Sequence, residues 1–568
     1  MPPILRRYVN DAFFAWGIPV LWLVVTVSLV SPVAEFPLND DWVYAKQVEY
    51  ALDGQYPGHP FAAAISIAHA YFGAAFALLF GYSFSALRLS TLFSAVVTGW
   101  AVFASTRELG CRRSVAALAT CTVLANPWFL NLSYTFMTDV PFVCTIVLST
   151  FFYLRAIRTG HTSDLMWGGA FGALSTLTRQ FGVMTFVTMV LVALVYRKRF
   201  KTPWTMQHAL SFAAPWMWGA ILGVGAMLLQ NSEYEHMNVF GQTSMYIKFH
   251  MAWRMVLIVL LYAGLFVLPL VVGRWISVST RREKLAVWQW LVIATYVILT
   301  WVYVSGVASN SFPLLANMVR DVGFGPLTLR GAYANISEWS PVTYGLSWRW
   351  GVTIAGYACG AILLVDFARR GWLGQWLRGK SGHRRPVLEV RGAQRMYLAV
   401  LAFLIAAAHY NPLLPIYFDR YLLPLVPLAA IFVAAGFARR AGYAALLPAA
   451  ACCLAVYAFS LACLQDYMAW NRARWRGIDR LQREFGATVD QIDGGYEFNG
   501  MYTSDEFMRL HNTTSFQAQG DKGWWILDDE YAIAFMPRGG MEVIGEETYV
   551  SWLDGEEHDL LLLRRNPE

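Results

Sequence analysis

Charge is scarce in this chain of 568 residues. Only 14% of the residues are charged, against about 25% in average soluble domains. The hydrophobic content of 57% and the mean hydropathy of +0.42 exclude a soluble globular protein and a disordered chain. The seven cysteines form no C-x-x-C pair and lie almost all in apolar runs, so we predict neither a disulfide framework nor a zinc site.

Long apolar runs take the place of charge, and they predict about thirteen membrane-spanning helices. We place the spans at residues 12–33, 87–106, 114–131, 137–157, 164–178, 180–196, 209–230, 254–273, 287–306, 348–367, 396–411, 421–438 and 441–463. The apolar segment 61–80 is expected to lie in the membrane interface instead. Counting it as a span would put Arg107, Arg112 and Arg113 outside, against the positive-inside rule.

A formal net charge of +7 could indicate a nucleic-acid partner, but the distribution of the charge favours another reading. The predicted cytoplasmic loops hold 25 Lys and Arg residues, whereas the opposite side holds nine before the C-terminal region. This asymmetry is an orientation signal of membrane proteins, so no nucleic-acid partner is predicted. We expect a multi-pass integral protein of a bacterial inner (plasma) membrane with its N-terminus in the cytoplasm.

The composition changes after residue 464, where charged residues become frequent. Short β-like runs occur at 523–527 and 549–552, and residues 559–565 look like a last buried strand. The predicted fold is therefore a polytopic α-helical membrane protein with a small C-terminal α/β domain. Residues 1–464 form the transmembrane part with a first outer loop at 34–86, and residues 465–568 form the domain on the outer face, periplasmic or extracellular.

Asp40 and Asp41 follow the first predicted span. Adjacent carboxylates at a membrane surface can accept a proton or bind a cation. A plainer alternative is helix capping, in which Asn39 or Asp40 starts a helix that runs to about Leu52. The residue types alone leave both alternatives open.

Further charged positions are predicted on the same face. Asp139 begins the fourth span, where it is either functional or a helix cap together with Thr138. Arg179 lies in a short hairpin, where it could clamp a phosphate or snorkel to lipid head groups. Asp419 and Arg420 precede the twelfth span and could also be an interface anchor. Acids and arginines at one surface suit an acceptor base and an anionic lipid leaving group.

Four short motifs give the chain a family resemblance. They are residues 40–45 (DDWVYA), 81–89 (GYSFSALRL), 138–141 (TDVP) and 419–424 (DRYLLP). In this order and spacing they resemble the membrane glycosyltransferases of the C superfold that use polyprenyl-phosphate sugars. That group contains the protein O-mannosyltransferases and the lipid A aminoarabinose transferases, and the resemblance covers residues 12–463.

The resemblance implies an inverting glycosyltransferase that moves one sugar from a polyprenyl phosphate to an acceptor hydroxyl of a glycolipid, a protein or a cell-envelope glycan. It implies that Asp40 is the base and that Asp41 and Asp139 orient the acceptor and the first loop. Substrate contacts are implied for His59, Arg88, Arg179, Asp419, Arg420 and Tyr421. Family members often carry lysine where this chain has His59, and commonly glutamate where it has Asp41. No cofactor is required, although the three acids could hold a divalent cation if they converge.

The main alternative is a transporter or flippase of a lipid-linked sugar, in which the same side chains would line a translocation path. Against it, the charged candidates cluster at one face rather than at the midplane, and a large extramembrane region is attached. A third alternative is an inactive scaffold, in which these clusters only anchor helices. For the enzyme, the expected partners are the lipid-linked donor, the acceptor and membrane lipids.

Reporter fusions test the predicted orientation. Fusions after Ser83 and Asp466 should report the outer compartment, and a fusion after Arg113 should report the cytoplasm, as read by alkaline phosphatase and fluorescent-protein activity. An outer signal at Arg113 would show that segment 61–80 crosses the membrane, and it would scatter the charged candidates over two faces.

Overall fold

Helices make up most of the computed structural model, which describes residues 3–62, 65–196, 205–229, 245–279, 287–305, 311–315, 317–320, 323–330, 346–370, 386–409, 418–437, 442–513 and 522–567. The helices are α1 (Pro3–Leu29), α2 (Asp41–Leu52), α3 (Ile67–Phe80), α4 (Phe84–Glu108), α5 (Arg113–Leu124), α6 (Pro127–Ser133), α7 (Asp139–Thr159), α8 (Thr162–Thr178), α9 (Met184–Tyr196), α10 (Met206–Leu229), α11 (Met245–Phe266), α12 (Leu268–Ser279), α13 (Val287–Ser305), α14 (Leu346–Arg370), α15 (Pro386–His409), α16 (Leu425–Ala434), α17 (Tyr443–Phe485), α18 (Tyr496–Tyr502) and α19 (Ser504–Leu510). Short 3-10 helices occupy Gln180–Val183, Asp419–Leu422 and Val489–Gln491. The strands are β1 (Val319–Arg320), β2 (Gly323–Phe324), β3 (Ile492–Asp493), β4 (Tyr531–Ala534), β5 (Met541–Val550) and β6 (Glu557–Arg565).

Several helices have the length and apolarity of membrane spans. Within the described residues, six helices are long and apolar enough to cross a membrane, or up to eight if each bent pair is one span. The prediction of an α-helical, multi-pass membrane protein is confirmed in this coarse form. The count of about thirteen spans stays a prediction.

Two of the predicted spans are broken helices. Residues 114–131 form α5 and α6, which meet at 63°, and residues 254–273 fall on α11 and α12, which meet at 82°. At the first break the side chain of Asn126 accepts a hydrogen bond from the backbone N–H of Phe129 (3.1 Å), and Pro127 opens the new helix. An N-cap followed by proline starts a helix, so the chain turns there.

Helix α3 covers most of the apolar segment 61–80, and it does not run through the bundle. Its 14 residues reach about 21 Å, less than the roughly 30 Å of a bilayer core. At its start the backbone N–H of Ser66 donates to the carbonyl of Thr178 (3.3 Å). Just after its end the hydroxyl of Tyr82 donates to the carbonyl of Ala45 (3.3 Å). Both ends therefore lie at the end of the bundle where α2 begins and α8 ends.

Helices α4, α5, α7 and α8 alternate in direction, so their termini gather at two ends of the bundle. At one end Asp11 of α1 accepts hydrogen bonds from Arg107 (2.8 Å) and Arg113. Arg158 of α7 pairs with Glu108 at that end. The charged candidates from the sequence lie at the other end.

The C-terminal region begins within one long helix. Helix α17 runs without a break for 43 residues and ends where Gly486 adopts a left-handed φ of 69°. The predicted boundary between residues 464 and 465 therefore falls inside α17, because the chain offers no glycine cap or proline there. The boundary and the outer placement of this region stay predictions.

A four-stranded sheet packs on the end of α17, in the order β3-β4-β6-β5. Strand β3 is parallel to β4, and the other neighbours are antiparallel. The predicted strand at 559–565 lies within β6. The β-like run at 523–527 instead forms turns, because Gly523, Trp524 and Trp525 have φ values of 78°, 48° and 56°, which no strand allows.

Helix α18 approaches α2 at a glycine. A Cβ added to Gly500 would lie 2.4 Å from Cε2 of Trp42, whose side chain is fully buried. Gly500 is therefore required for this close packing between the C-terminal region and the first loop.

We expect Gly500→Ala to lower the thermal unfolding temperature of the purified protein, because overpacking a tight contact costs about 1–3 kcal/mol. Gly539→Ala is the matched control, since its Cβ would meet nothing within 4 Å. Equal unfolding temperatures for the two variants would contradict the close packing of α18 on α2.

Candidate active site

Asp40 stands at the N-terminus of α2, but its side chain does not cap the helix. Its Oδ2 instead accepts a hydrogen bond from Nη2 of Arg420 (3.0 Å), and its Oδ1 accepts one from the hydroxyl of Tyr496 (2.9 Å). The side chain of Asp40 keeps 24% of its surface exposed. The carboxylate of Asp40 thus has a guanidinium partner and access to solvent. A helix cap requires neither, so these contacts favour a functional role over capping.

Asp139 begins α7 beside Thr138, and here too no side chain caps the helix. Nη2 of Arg179 donates to Oδ2 of Asp139 (3.0 Å), and its Nε donates to the hydroxyl of Thr138 (2.7 Å). Arg179 follows the last residue of α8 in an extended conformation, which turns its side chain toward α7. The acid and the arginine from neighbouring helix ends therefore form one buried ion pair.

Tyr421 joins the two ion pairs. The guanidinium carbon of Arg179 lies 6.0 Å from the centre of its ring, and that of Arg420 lies 5.7 Å away. The structure thereby brings together five predicted site residues, which are Asp40, Asp139, Arg179, Arg420 and Tyr421.

Arg420 retains unused hydrogen-bonding capacity. Its side chain is 7% exposed, and its Nη1 donates to the sulfur of Met137 (3.3 Å), a weak acceptor. Among the described residues, its Nε has no hydrogen-bond partner. A buried guanidinium with an unsatisfied N–H attracts an anionic oxygen, because an unpaired buried donor is costly.

Asp41 points away from this cluster into the protein. Its side chain is fully buried, and its Oδ2 accepts a hydrogen bond from the backbone N–H of Leu38 (3.2 Å). Burial raises the pKa of Asp41 to about 7, and the nearby positive charge of Arg88 opposes that shift. Asp41 thus braces the loop that carries Asp40.

Arg88 is also fully buried, and it serves the same loop. Its guanidinium donates to the backbone carbonyls of Pro32 (3.3 Å), Ala34 and Phe36. The structure does not bring it into the cluster around Tyr421, and its substrate contact stays a prediction.

Asp419 binds backbone rather than the neighbouring arginine side chain. Its carboxylate accepts hydrogen bonds from the backbone N–H groups of Met318 (3.0 Å), Val319 (2.9 Å) and Arg420 (2.8 Å) and from the indole of Trp128 (3.0 Å). The carboxylate of Asp419 is fully buried and accepts four hydrogen bonds. It therefore has a structural role, because it fixes the 3-10 helix that carries Arg420.

His59 lies in an aromatic cluster behind Asp41. Its ring meets those of Trp42 (5.6 Å) and Phe61 (5.4 Å) edge-on, and its Nδ1 accepts a hydrogen bond from the N–H of Phe61 (3.2 Å). Burial lowers the pKa of His59 to about 3, and Lys46 adds to the shift. The imidazole is therefore neutral at neutral pH, so it does not supply the positive charge of a phosphate-binding lysine.

Sequence reasoning missed the residues that the C-terminal region adds to the site. Besides Tyr496, the buried carboxylate of Glu497 accepts a hydrogen bond from the backbone N–H of Asn39 (2.8 Å). The glycine pair before Tyr496 was the one feature of the sequence that could have indicated a close backbone approach there. Gly495 has a φ of 88°, and a Cβ there would lie 2.3 Å from the carbonyl oxygen of Thr328.

The three acids do not converge on a shared cation position. Asp40 pairs with Arg420, Asp139 pairs with Arg179, and Asp41 faces the loop backbone. Within the described ranges, no group of three or more His, Cys, Asp or Glu side chains could hold a metal ion.

A family match adds to this geometry. Residues 59–218 match the family described as dolichyl-phosphate-mannose-protein mannosyltransferase. The match confirms the resemblance to membrane glycosyltransferases that use polyprenyl-phosphate sugars. It includes Asp139 and Arg179, whereas Asp40 and Arg420 lie outside it. No curated relative matches the chain by sequence.

Three solved structures are similar to the chain. ArnT from Cupriavidus metallidurans in the apo state shares 14% identity over 97% of this chain and 99% of its own, with a TM-score of 0.38. Archaeoglobus fulgidus AglB, an archaeal oligosaccharyltransferase in complex with an inhibitory peptide and a dolichol-phosphate, shares 15% over 80% and 56%, with a TM-score of 0.38. The S. cerevisiae protein O-mannosyltransferase Pmt1-Pmt2 complex bound to the sugar donor shares 12% over 39% and 33%, with a TM-score of 0.33.

The neutral state of His59 makes stability depend on pH. Its pKa of about 3 in the folded protein is below the value of about 6.5 in an unfolded chain. Its contribution to stability is therefore complete above about pH 6.5 and is lost as the pH falls toward 3.

We expect the thermal unfolding temperature to fall less between about pH 7.5 and pH 5 in His59→Gln than in the wild type. His161→Gln is the control, because His161 is exposed in the loop between α7 and α8. Identical pH dependence in all three proteins would show that His59 is not held neutral by burial.

Proposed function

We propose that this protein is an inverting glycosyltransferase of the outer face of a bacterial inner membrane. It transfers one sugar from a polyprenyl-phosphate donor to an acceptor hydroxyl of a glycolipid, a protein or a cell-envelope glycan. The observation that carries the proposal is the contact between Asp40 and Arg420. It sets a partly exposed carboxylate beside a buried guanidinium whose Nε finds no acceptor in the residues that the structure describes.

The reaction needs a base at the acceptor. The acceptor oxygen attacks the anomeric carbon, the bond from that carbon to the phosphate oxygen breaks, and the electron pair of that bond leaves with the phosphate. Asp40 takes the proton of the acceptor hydroxyl, and a single displacement inverts the anomeric centre. The 24% exposure of Asp40 supports this role, because the acceptor must reach it from the aqueous side.

The leaving group is a lipid phosphate whose negative charge grows as the bond breaks. Arg420 and Arg179 supply two positive charges close to the ring of Tyr421. Preorganised donors aimed at developing charge contribute strongly to catalysis. Asp139 holds Arg179 in place by its 3.0 Å hydrogen bond. The Nε of Arg420, which has no partner within the described part of the chain, suits a phosphate oxygen.

The remaining predicted residues support the site from behind. Asp41 and Arg88 hold the first loop, and Asp419 holds the 3-10 helix that carries Arg420. His59 packs under Trp42 as a neutral ring. Their buried contacts favour positioning over direct contact with the donor.

The site also bears on the transporter alternative. Asp40 and Asp139 lie at the starts of α2 and α7, so the charged cluster stands at helix ends rather than midway along a broken helix. A translocation site is usually placed near the midplane. The geometry therefore favours chemistry at a surface.

Membrane fractions supplied with a labelled polyprenyl-phosphate sugar test the proposal. We expect Asp40→Asn to reduce sugar transfer by about 10²–10⁴-fold, because the acceptor loses its base. Asp53→Asn is the matched control. Asp53 follows the last residue of α2 and is exposed, so transfer should stay at the wild-type level.

Unchanged transfer in Asp40→Asn would remove the base from the mechanism. Flipping of the lipid-linked sugar by purified protein in liposomes, with no glycosidic product, would contradict the enzyme and favour the transporter.

A further inference from the structure

Helix α18 of the C-terminal region braces the loop that carries Asp40. The hydroxyl of Tyr496 donates to Oδ1 of Asp40 (2.9 Å), and the adjacent Glu497 accepts from the backbone N–H of Asn39 (2.8 Å). Two consecutive residues of one helix thus hold two consecutive residues of the first loop.

Glu497 is itself firmly anchored. Its Oε2 accepts a hydrogen bond from Nη1 of Arg474 on α17 (2.7 Å), and both side chains are fully buried. Its Oε1 also accepts from the hydroxyl of Thr328 (2.9 Å). A buried ion pair with additional hydrogen bonds keeps one geometry, because losing any partner would leave an unpaired buried charge.

The backbone turn before Asp40 needs such a brace. Asn39 has a left-handed φ of 54°, which asparagine tolerates better than most residues. Its side chain donates to the sulfur of Met137 (3.4 Å). The turn determines which way Asp40 points, so the bond from Asn39 to Glu497 also controls that direction.

We propose that Tyr496 is a positioning residue for Asp40, and that the C-terminal region thereby completes the transfer site. The inference rests on the proposed function. A carboxylate oxygen has two lone pairs. Counting contacts with the described residues, Tyr496 on Oδ1 and Arg420 on Oδ2 leave one lone pair of each oxygen for the acceptor hydroxyl, and the carboxylate cannot rotate freely.

The test compares Tyr496→Phe with Tyr502→Phe in full-length protein. Tyr502 ends the same helix and is 52% exposed, so it is a matched loss of one hydroxyl. We expect Tyr496→Phe to lower kcat about tenfold with KM for the donor unchanged. The acid side of its pH–rate profile should move to higher pH, because a hydrogen bond donated to a carboxylate favours the ionised form. Tyr502→Phe should match the wild type.

A second variant covers the case in which Tyr496→Phe does not fold, as judged by thermal unfolding. Asn39→Gly permits the left-handed φ but removes the bond to Met137, so we expect a folded protein with a lower kcat and an unchanged pH profile. Wild-type kcat in a folded Tyr496→Phe would overturn the inference. If Tyr496→Phe does not fold, wild-type kcat in Asn39→Gly would overturn it, and so would a change in donor KM alone. A wild-type protein without transferase activity would instead overturn the proposed function.

Discussion

The ion pair between Asp40 and Arg420 connects parts of the chain that are 380 residues apart. Asp40 lies at the start of α2, and Arg420 lies in the 3-10 helix before α16. Charged groups at the edge of an apolar bundle must be paired or hydrated, and this pair meets that requirement from two distant elements. Tyr496 bonds to Asp40 of this pair, and Asp419 holds the 3-10 helix that carries Arg420.

The second ion pair, between Asp139 and Arg179, also balances one carboxylate with one guanidinium. Asp139 begins α7 and Arg179 follows α8, and the guanidinium carbons of Arg179 and Arg420 lie 6.0 and 5.7 Å from the ring centre of Tyr421. Two acids and two arginines leave the cluster with no net formal charge in the absence of a ligand. In the proposed reaction, the phosphate of the donor would compete with the acids for the arginines, and this competition would favour its release after transfer.

Much of the helical architecture could be predicted from apolar runs, because hydrophobic length is a direct requirement of a bilayer. The breaks inside two of the predicted spans could not be predicted from the apolar runs. At the first break, for example, Asn126 and Pro127 are compatible both with a bent span and with two separate helices. The left-handed turns at Trp524 and Trp525 likewise contradict their strand propensity, because aromatic residues carry no signal for positive φ. The local sequence indicates which secondary structure a segment prefers. At these positions the backbone conformation is determined by tertiary contacts instead.

The candidate site was predictable only in part for a related reason. An aspartate at the start of a helix looks the same in the sequence whether its side chain caps that helix or binds another group. The roles of Asp40 and Asp139 could therefore be assigned only from their hydrogen-bond partners in the structure. The contact from Tyr496 to Asp40 joins residues 456 positions apart, and no motif marks it.

The location of Asp40 also bears on how two unlike substrates would meet. Helix α3, which packs on α2, exposes apolar side chains such as Leu78 and Leu79. Helix α18 brings the hydroxyl of Tyr496 within hydrogen-bond distance of Asp40 at the start of α2. In the proposed reaction the polyprenyl chain of the donor is apolar and the acceptor hydroxyl is polar, so the two are best brought together where apolar and aqueous surroundings meet. Charged side chains at helix ends, in contact with the C-terminal region, would provide such a place.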